Sequence, residues 1–356
     1  MKIGMVTAQF AETGGVENVV KSVARELAED HEVSLIVRDR EQNAESFDSC
    51  FSDVHIIEGS ESFSSYLRNG RRFFKEHRDD FDVYHFHNWS TILPYVGIGH
   101  PSILTLHGSS TRDAWENGWW FRLPLYWLAE EIAYNTPDVV TSGTRSVQSL
   151  FAILKRSRVV RNGVDTDRFR PMPERREELR EKWSVEGEGI LICALHRHNK
   201  GHKYLFEAAS ELEEENTVMV TGTGPLTDQL KEKADETGVN AEFYGRVPDS
   251  ELPELYAAAD LFCLPSWAEG LPLAILEAMS AGLPVVLSDI SDNRELVEKA
   301  KCGVTVPPKD PESLEKALRN VIGGEFDRGE IRSYAVEKLD WSRIADEYME
   351  VYKNIT

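Results

Sequence analysis

The chain of 356 residues lacks an apolar run long enough to span a bilayer, and it is poor in cysteine. Its four cysteines, at positions 50, 193, 263 and 302, show neither disulfide pairing nor metal-ligand spacing. This excludes a disulfide scaffold and a cysteine-bound zinc module. The first residues, Met1–Val6, predict a β-strand and not a signal peptide. We therefore expect a cytoplasmic protein.

Positive charge is also scarce, because 40 basic residues face 61 acidic ones and give a formal net charge of -21. A field of that sign repels phosphate backbones, so nucleic acid is excluded as a partner. One basic cluster interrupts the pattern, and its members are Arg68, Arg71, Arg72, Lys75 and Arg78. We interpret it as a solvated helix face. Peripheral contact with the inner membrane face stays open as the alternative.

Strand and helix patterns alternate along the whole chain, which predicts an α/β protein with parallel sheets. A polar, proline-bearing stretch at 164–187 divides the pattern and is interpreted as a linker. We predict an N-terminal domain at 1–163, a C-terminal domain at 188–340, and a last helix at 341–356 that packs back on the first domain. Ligands of such sheets bind at the carboxyl ends of the strands, so the loops there are the candidate sites.

The most informative motif follows the predicted strand that ends at Leu264. A loop carries Glu269, and Glu277 lies eight positions later in an otherwise apolar helix. A carboxylate among apolar neighbours costs several kcal/mol unless it is paired. Ribose hydroxyls are suitable partners, because an ionised carboxylate accepts two hydrogen bonds from them.

Two further loops follow predicted strands. The basic loop with Arg197 and Lys200 would stabilise a leaving group that gains negative charge, although a basic surface loop is the alternative. Gly14 and Gly15 precede a helix and allow close approach of a phosphate, although a simple tight turn explains them equally well.

Histidines follow two predicted strands, at His87 and His107. Both imidazoles are placed at the edge where ligands bind, and a purely structural role is the alternative.

Together these motifs resemble retaining glycosyltransferases of the GT-B type, and glycosyltransferase family 4 in particular. The resemblance covers nearly the whole chain. It implies two Rossmann-like domains that face each other across a cleft, with the nucleotide sugar in the C-terminal domain and the acceptor in the N-terminal domain. It also implies transfer with retention of configuration and without a metal or other cofactor.

The resemblance further implies the residue roles. Catalytic positions are His107, Arg197, Lys200 and Glu269, although Arg197 lies nearer to the lysine than the family arginine and a neighbouring histidine is an alternative. Nucleotide-sugar contacts are assigned to Gly14, Gly15, Gly222, Gly224, Gly245, Arg246, Val247, Gly270, Leu271, Pro272, Leu273 and Glu277. Acceptor contacts are assigned to Glu17 and His87.

An aromatic segment follows the His107 loop and contains Trp119 and Trp120. Tryptophan suits sugar faces and membrane interfaces, so both residues are predicted to contact the acceptor. The alternative is a buried helix with Trp127 and Leu128 in the core.

The prediction is thus a glycosyltransferase that uses a UDP- or GDP-sugar and a glycan, lipid-linked or other hydroxyl acceptor. Two other functions remain open, namely a non-catalytic nucleotide-sugar-binding subunit and a GT-B epimerase or phosphorylase. An NAD enzyme is excluded, because the Gly222 loop lacks the third glycine of the dinucleotide fingerprint and has Pro225.

Overall fold

The computed structural model describes residues 1–10, 14–40, 50–60, 62–108, 120–144, 156–290 and 292–356. These residues form two compact units. The first unit comprises Met1–Asn162 and Trp341–Thr356, and the second comprises Gly163–Asp340.

Strands and helices alternate in the first unit. Its elements are β1 (Lys2–Phe10), α1 (Gly15–Leu27), β2 (Glu32–Arg40), β3 (Asp53–Ile56), α2 (Phe63–Glu76), β4 (Val83–His87), α3 (Trp89–Ile92), β5 (Ser102–Leu106), α4 (Leu123–Tyr134), β6 (Val139–Ser142), β7 (Ser157–Val159) and α13 (Trp341–Lys353).

Among the described residues of the first unit, seven strands form one sheet in the order β3-β2-β1-β4-β5-β6-β7. Every pairing in it is parallel. The residues of β4 and β5 are all buried, as expected for a parallel sheet that is covered on both faces. The last helix, α13, belongs to this unit and buries Tyr348 and Tyr352.

The second unit repeats the alternation. Its elements are α5 (Arg176–Lys182), β8 (Glu188–Cys193), α6 (His202–Ser210), β9 (Asn216–Thr221), α7 (Thr227–Thr237), β10 (Ala241–Gly245), α8 (Leu252–Ala258), β11 (Leu261–Leu264), α9 (Leu273–Ser280), β12 (Val285–Ser288), α10 (Asn293–Ala300), β13 (Gly303–Val306), α11 (Pro311–Ile322) and α12 (Arg328–Leu339).

Six strands form the sheet of the second unit within the described residues, in the order β10-β9-β8-β11-β12-β13. All of its pairings are parallel. The predicted fold class, two Rossmann-like α/β domains with parallel sheets, is therefore confirmed.

The segment 164–187, interpreted above as a linker, makes its contacts within the second unit. Arg176 and Arg180 on α5 both bind the carboxylate of Asp260, just before β11. Lys182 pairs with Glu254 of α8 at 2.6 Å. These ion pairs attach the segment to α8 and to the residue before β11, within the second unit.

No helix in the described part of the chain combines the length and the apolarity that crossing a bilayer requires.

Candidate active site

Lys200 and Glu269 meet at the point where the strand order of the second sheet reverses. β8 and β11 are neighbours there, and their following loops carry the two residues. Lys200 Nζ lies 2.5 Å from Glu269 Oε1, and the side chains are only 17% and 11% exposed. Such a reversal is where ligands bind in open parallel sheets. The structure thus brings together two predicted catalytic residues that are far apart in sequence.

The backbone joins the same two loops. The Trp267 amide donates to the carbonyl of Asn199 at 3.0 Å, and Asn199 Nδ2 donates to the carbonyl of Ala268 at 3.1 Å. Gly201 has φ +76° and lies so close that an added Cβ would be 2.1 Å from the Pro265 carbonyl oxygen. Only glycine fits there, which explains why glycine follows Lys200.

Glu277 lies on α9, the helix that follows the loop of Glu269, and the residue is partly buried. The Tyr256 hydroxyl donates to Glu277 Oε2 at 2.7 Å. Burial raises the pKa of Glu277 to about 7, while the Tyr256 hydrogen bond and the charge of Arg168 oppose that rise. The carboxylate is thus buried but supported by a hydrogen bond and a nearby positive charge, and it is suited to accept hydrogen bonds from a ligand.

Sequence reasoning did not assign Tyr256 to the site. The sequence signal was a tyrosine among the apolar residues of 255–259, and a buried tyrosine hydroxyl usually needs a partner.

The four residues Gly270, Leu271, Pro272 and Leu273 lead into α9. Pro272 occupies the cap position, and its side chain does not cap the first turn. Backbone amides at a helix start favour anions, so this turn is suited to a phosphate group.

The predicted glycines Gly222 and Gly224 pack against the loop after β8. An added Cβ at Gly222 would be 2.1 Å from the Ala194 carbonyl oxygen, and one at Gly224 would be 2.6 Å from that of His196. The Gly222 amide also donates to the Gly245 carbonyl at 2.7 Å. These contacts align the ends of β8, β9 and β10 side by side.

Beyond Gly245 the chain turns, since that glycine has φ +64°. Arg246 is exposed and Val247 is buried. These three residues, all predicted to contact the nucleotide sugar, therefore lie together at the end of β10.

Arg197 is exposed on the loop that carries Lys200. His196, a neighbouring histidine weighed as an alternative to it, is almost fully buried, and its Nδ1 pairs with Thr227 Oγ1 at 2.9 Å. Burial also lowers the pKa of His202 to about 3. Because these two rings are buried, Arg197 and His198 are the exposed candidates on this loop.

In the first unit, His87 ends β4 and His107 follows β5, its parallel neighbour. His87 Nδ1 and His107 Nε2 are 3.0 Å apart and the rings stack. Burial lowers the pKa of His107 to about 4, so the ring is neutral at physiological pH. The two predicted residues form one hydrogen-bonded pair.

A third histidine, His85, supports this pair and was not predicted. Its ring centroid lies 4.1 Å from that of His87, and its Nδ1 pairs with the Tyr352 hydroxyl of α13 at 2.7 Å. Burial lowers its pKa to about 3. Alternation of side chains along β4 places His85 and His87 on the same face.

The glycine loop of the first unit begins α1. Gly14 occupies the cap position, Gly15 is the first helical residue, and Glu17 lies in the first turn. An added Cβ at Gly14 would be 2.0 Å from Glu17 Oε2. The position of Glu17 therefore depends on the absence of a side chain at Gly14.

The aromatic segment is exposed where the structure describes it. Trp120 is 58% exposed and Phe121 is 79% exposed, and Trp127 and Leu128 on α4 are about half exposed. The core alternative for Trp127 and Leu128 is therefore wrong. Trp119 lies outside the described residues.

Within the described ranges, no three histidine, cysteine, aspartate or glutamate side chains are grouped so that they could hold a metal ion.

Two family models match the chain in succession. Residues 13–168 match the model described as Glycosyltransferase Family 4, and residues 175–338 match Glycosyl transferases group 1. Together they span both units.

Similar proteins agree with this match. An uncharacterised glycosyltransferase of Methanocaldococcus jannaschii is 26% identical over 77% of this chain and 76% of its own length. The GDP-mannose-dependent alpha-(1-6)-phosphatidylinositol monomannoside mannosyltransferase of Mycolicibacterium smegmatis is 30% identical over 57% of this chain and 58% of its own length.

A solved structure has the same fold. The Anabaena protein HepE, crystallised with UDP, superimposes with a TM-score of 0.81 at 18% identity and covers 99% of this chain and 100% of its own. The fold and the family models thus define a glycosyltransferase with the GT-B fold. The chain belongs to the family 4 type of these enzymes.

Proposed function

We propose that the second unit binds a UDP- or GDP-sugar and that the enzyme transfers its sugar with retention of configuration, without a metal ion. The observation that carries the proposal is the ion pair of Lys200 and Glu269 beside the start of α9. These groups, with Glu277 nearby, have the chemistry that a nucleotide-diphosphate sugar needs.

The proposed chemistry places one demand on each group. As the bond between the sugar and the diphosphate breaks, negative charge grows on the phosphate oxygens. Lys200, Arg197 and the first turn of α9 would stabilise that charge. Glu269 would accept hydrogen bonds from the sugar hydroxyls, and Glu277 from the ribose.

Retention follows in this proposal from attack on the face that the diphosphate leaves. The acceptor hydroxyl would pass its proton to a leaving phosphate oxygen. No protein nucleophile is assigned, because Glu269 would have to reach the opposite face of the sugar.

Both donor bases remain in the proposal. The mycobacterial relative is named for GDP-mannose and the Anabaena structure holds UDP. Gly245, Arg246 and Val247 would lie against the base, with the backbone after the β10 turn as the contact.

The first unit would bind the acceptor, a glycan, a lipid-linked sugar or another hydroxyl compound. His107 would contact the transferring sugar, and His87 and Glu17 would lie toward the acceptor. The exposed Trp120 supports a bulky, partly apolar acceptor, because an exposed aromatic group suits a sugar face or a membrane interface. We place the enzyme in the cytoplasm, in peripheral contact with the inner membrane face.

The test is a panel of UDP- and GDP-sugars, assayed for donor hydrolysis and transfer with and without EDTA. Lys200→Ala should lower turnover roughly 100-fold or more while the nucleoside still binds. Lys233→Ala is the matched control, because it breaks a 3.0 Å ion pair with Glu207 elsewhere in the same unit. Unchanged turnover in Lys200→Ala would remove this residue from the mechanism, and a strict metal requirement would refute the electrostatic argument.

A further inference from the structure

Tyr256 lies directly against the carboxylate of Glu277. The tyrosine is fully buried on α8, and its hydroxyl donates to Glu277 Oε2 at 2.7 Å. The same hydroxyl lies 3.4 Å from the carbonyl of Ala274, one turn earlier on α9. Tyr256 therefore links α8 to α9 at Glu277, the residue proposed to bind the donor ribose.

Aromatic packing holds the Tyr256 ring in place. Phe169 meets it edge-on with centroids 5.5 Å apart, and Phe262 of β11 stacks at 6.2 Å. A tyrosine packed in this way cannot turn its hydroxyl elsewhere without opening the core. The direction of the hydrogen bond to Glu277 is consequently fixed.

The fixed hydrogen bond from Tyr256 to Oε2 determines the orientation of the Glu277 carboxylate. Oε2 is already engaged, so rotation of the Glu277 carboxylate would break a buried hydrogen bond, which is costly. Oε1 and the remaining lone pair of Oε2 keep a single orientation toward a ligand. A bidentate contact with two vicinal hydroxyls depends on such an orientation.

We propose that Tyr256 is a positioning residue that orients Glu277 and holds it ready to accept the donor ribose hydroxyls. This inference rests on the proposed function, because it assumes that Glu277 binds the ribose. Tyr256 itself touches the protein and not the substrate.

The charged surroundings of Glu277 agree with this role. Burial raises the pKa of Glu277 and Asp249 adds to the rise, whereas Tyr256 and Arg168 oppose it. Burial raises the pKa of the Cys193 thiol, at the end of β8, to about 12, and the charges of Glu277 and Lys200 also act on that thiol. Burial holds the pKa of Tyr256 well above its ordinary value, so the phenol remains a donor.

The experiment replaces Tyr256 by Phe and measures binding of UDP and GDP by calorimetry from about pH 5.5 to about pH 8.5. We expect roughly five- to tenfold weaker binding near neutral pH and a pH midpoint that moves upward. The control is Tyr66→Phe, which removes another buried hydroxyl, bonded to the Thr91 carbonyl at 2.7 Å in the first unit.

A second readout isolates orientation from stability. The ratio of affinities for the nucleotide and its 2′,3′-dideoxy analogue reports the ribose contact, and Tyr256→Phe should reduce it severalfold. If that variant fails to fold, 3-fluorotyrosine at position 256 keeps the shape and strengthens the donor. It should then move the pH midpoint downward.

Glu277→Gln separates the two hypotheses. If it leaves nucleotide affinity and the ribose ratio unchanged, the assignment of Glu277 to the ribose, and with it the proposed function of this residue, is wrong. A second outcome overturns only the positioning role of Tyr256. In that outcome Glu277→Gln weakens nucleotide binding, but Tyr256→Phe or 3-fluorotyrosine changes neither the ratio of affinities for the nucleotide and its dideoxy analogue nor the pH midpoint of binding.

Discussion

Replacement of Glu269 by Gln should strengthen the binding of free UDP or GDP while it weakens transfer. In the structure Glu269 forms a 2.5 Å ion pair with Lys200, the residue proposed to bind the diphosphate. A diphosphate that binds Lys200 must compete with this carboxylate. Glutamine has nearly the same shape but no charge, so it competes less.

The magnitude follows from the burial of the pair. A hydrogen bond between charged groups contributes about 1.5–3 kcal/mol net, and side chains that are 17% and 11% exposed are weakly screened. Part of that energy remains in the bond from Lys200 to the glutamine oxygen. We therefore expect a gain of about 1–2 kcal/mol for the free nucleotide, which is roughly five- to thirtyfold in affinity. Turnover should fall, because Glu269 is proposed to contact the transferring sugar.

Calorimetry of UDP and GDP binding, combined with a transfer assay, checks both effects. Glu207→Gln is the matched control, since Glu207 pairs with Lys233 at 3.0 Å away from the site. In a Lys200→Ala background the gain should disappear. Unchanged or weaker nucleotide binding in Glu269→Gln would refute the competition between the carboxylate and the diphosphate.

Three further predictions concern stability and the acceptor. Burial raises the pKa of Glu277 from 4.5 to about 7, so the folded protein loses stability as pH rises through that range. Glu277→Gln should therefore stabilise the protein without nucleotide by about 1 kcal/mol at about pH 8. Thermal melts in which the wild type is the more stable protein would contradict this. Burial lowers the pKa of His85 to about 3 and that of His107 to about 4, so the first unit should lose stability as pH falls below about 6.5. A melting temperature that stays constant down to about pH 5 would contradict this prediction. Trp120 is 58% exposed, so Trp120→Ser should change stability by less than about 0.5 kcal/mol and should reduce transfer but not donor hydrolysis. Equal loss of both activities would show that Trp120 does not act on the acceptor.

The sequence was sufficient to predict the class of fold and the position of the loops. Apolar strands alternate with amphipathic helices, and that pattern leaves few topologies other than parallel sheets. Lys200 and Glu269 each lie in the loop that follows a strand, so their meeting at one edge follows from the strand order β8-β11. The helix α12 is harder to predict from the sequence, because its buried stripe is narrow and consists of Ile331, Ala335 and Leu339.

The contacts between individual side chains could not be predicted from the sequence, for a different reason. The bond between Tyr256 and Glu277 joins two helices with β11 between them in the sequence, so it depends on the tertiary structure that brings the two side chains together. The basic loop shows the same difficulty. Its residue types predict a cationic surface, but only the structure shows that the His196 ring points inward while Arg197 is exposed.

The proposed donor site contains charges that already have protein partners. Lys200 is paired with Glu269, and Glu277 accepts from Tyr256. An isolated buried charge would cost several kcal/mol, and these partners offset part of that cost. A diphosphate sugar would then exchange one set of partners for another, and its affinity is the difference between the two sets. This explains why removal of charge at Glu269, which competes for Lys200, should strengthen nucleotide binding. Removal of charge at Glu277, which competes for nothing that the donor uses, should weaken it.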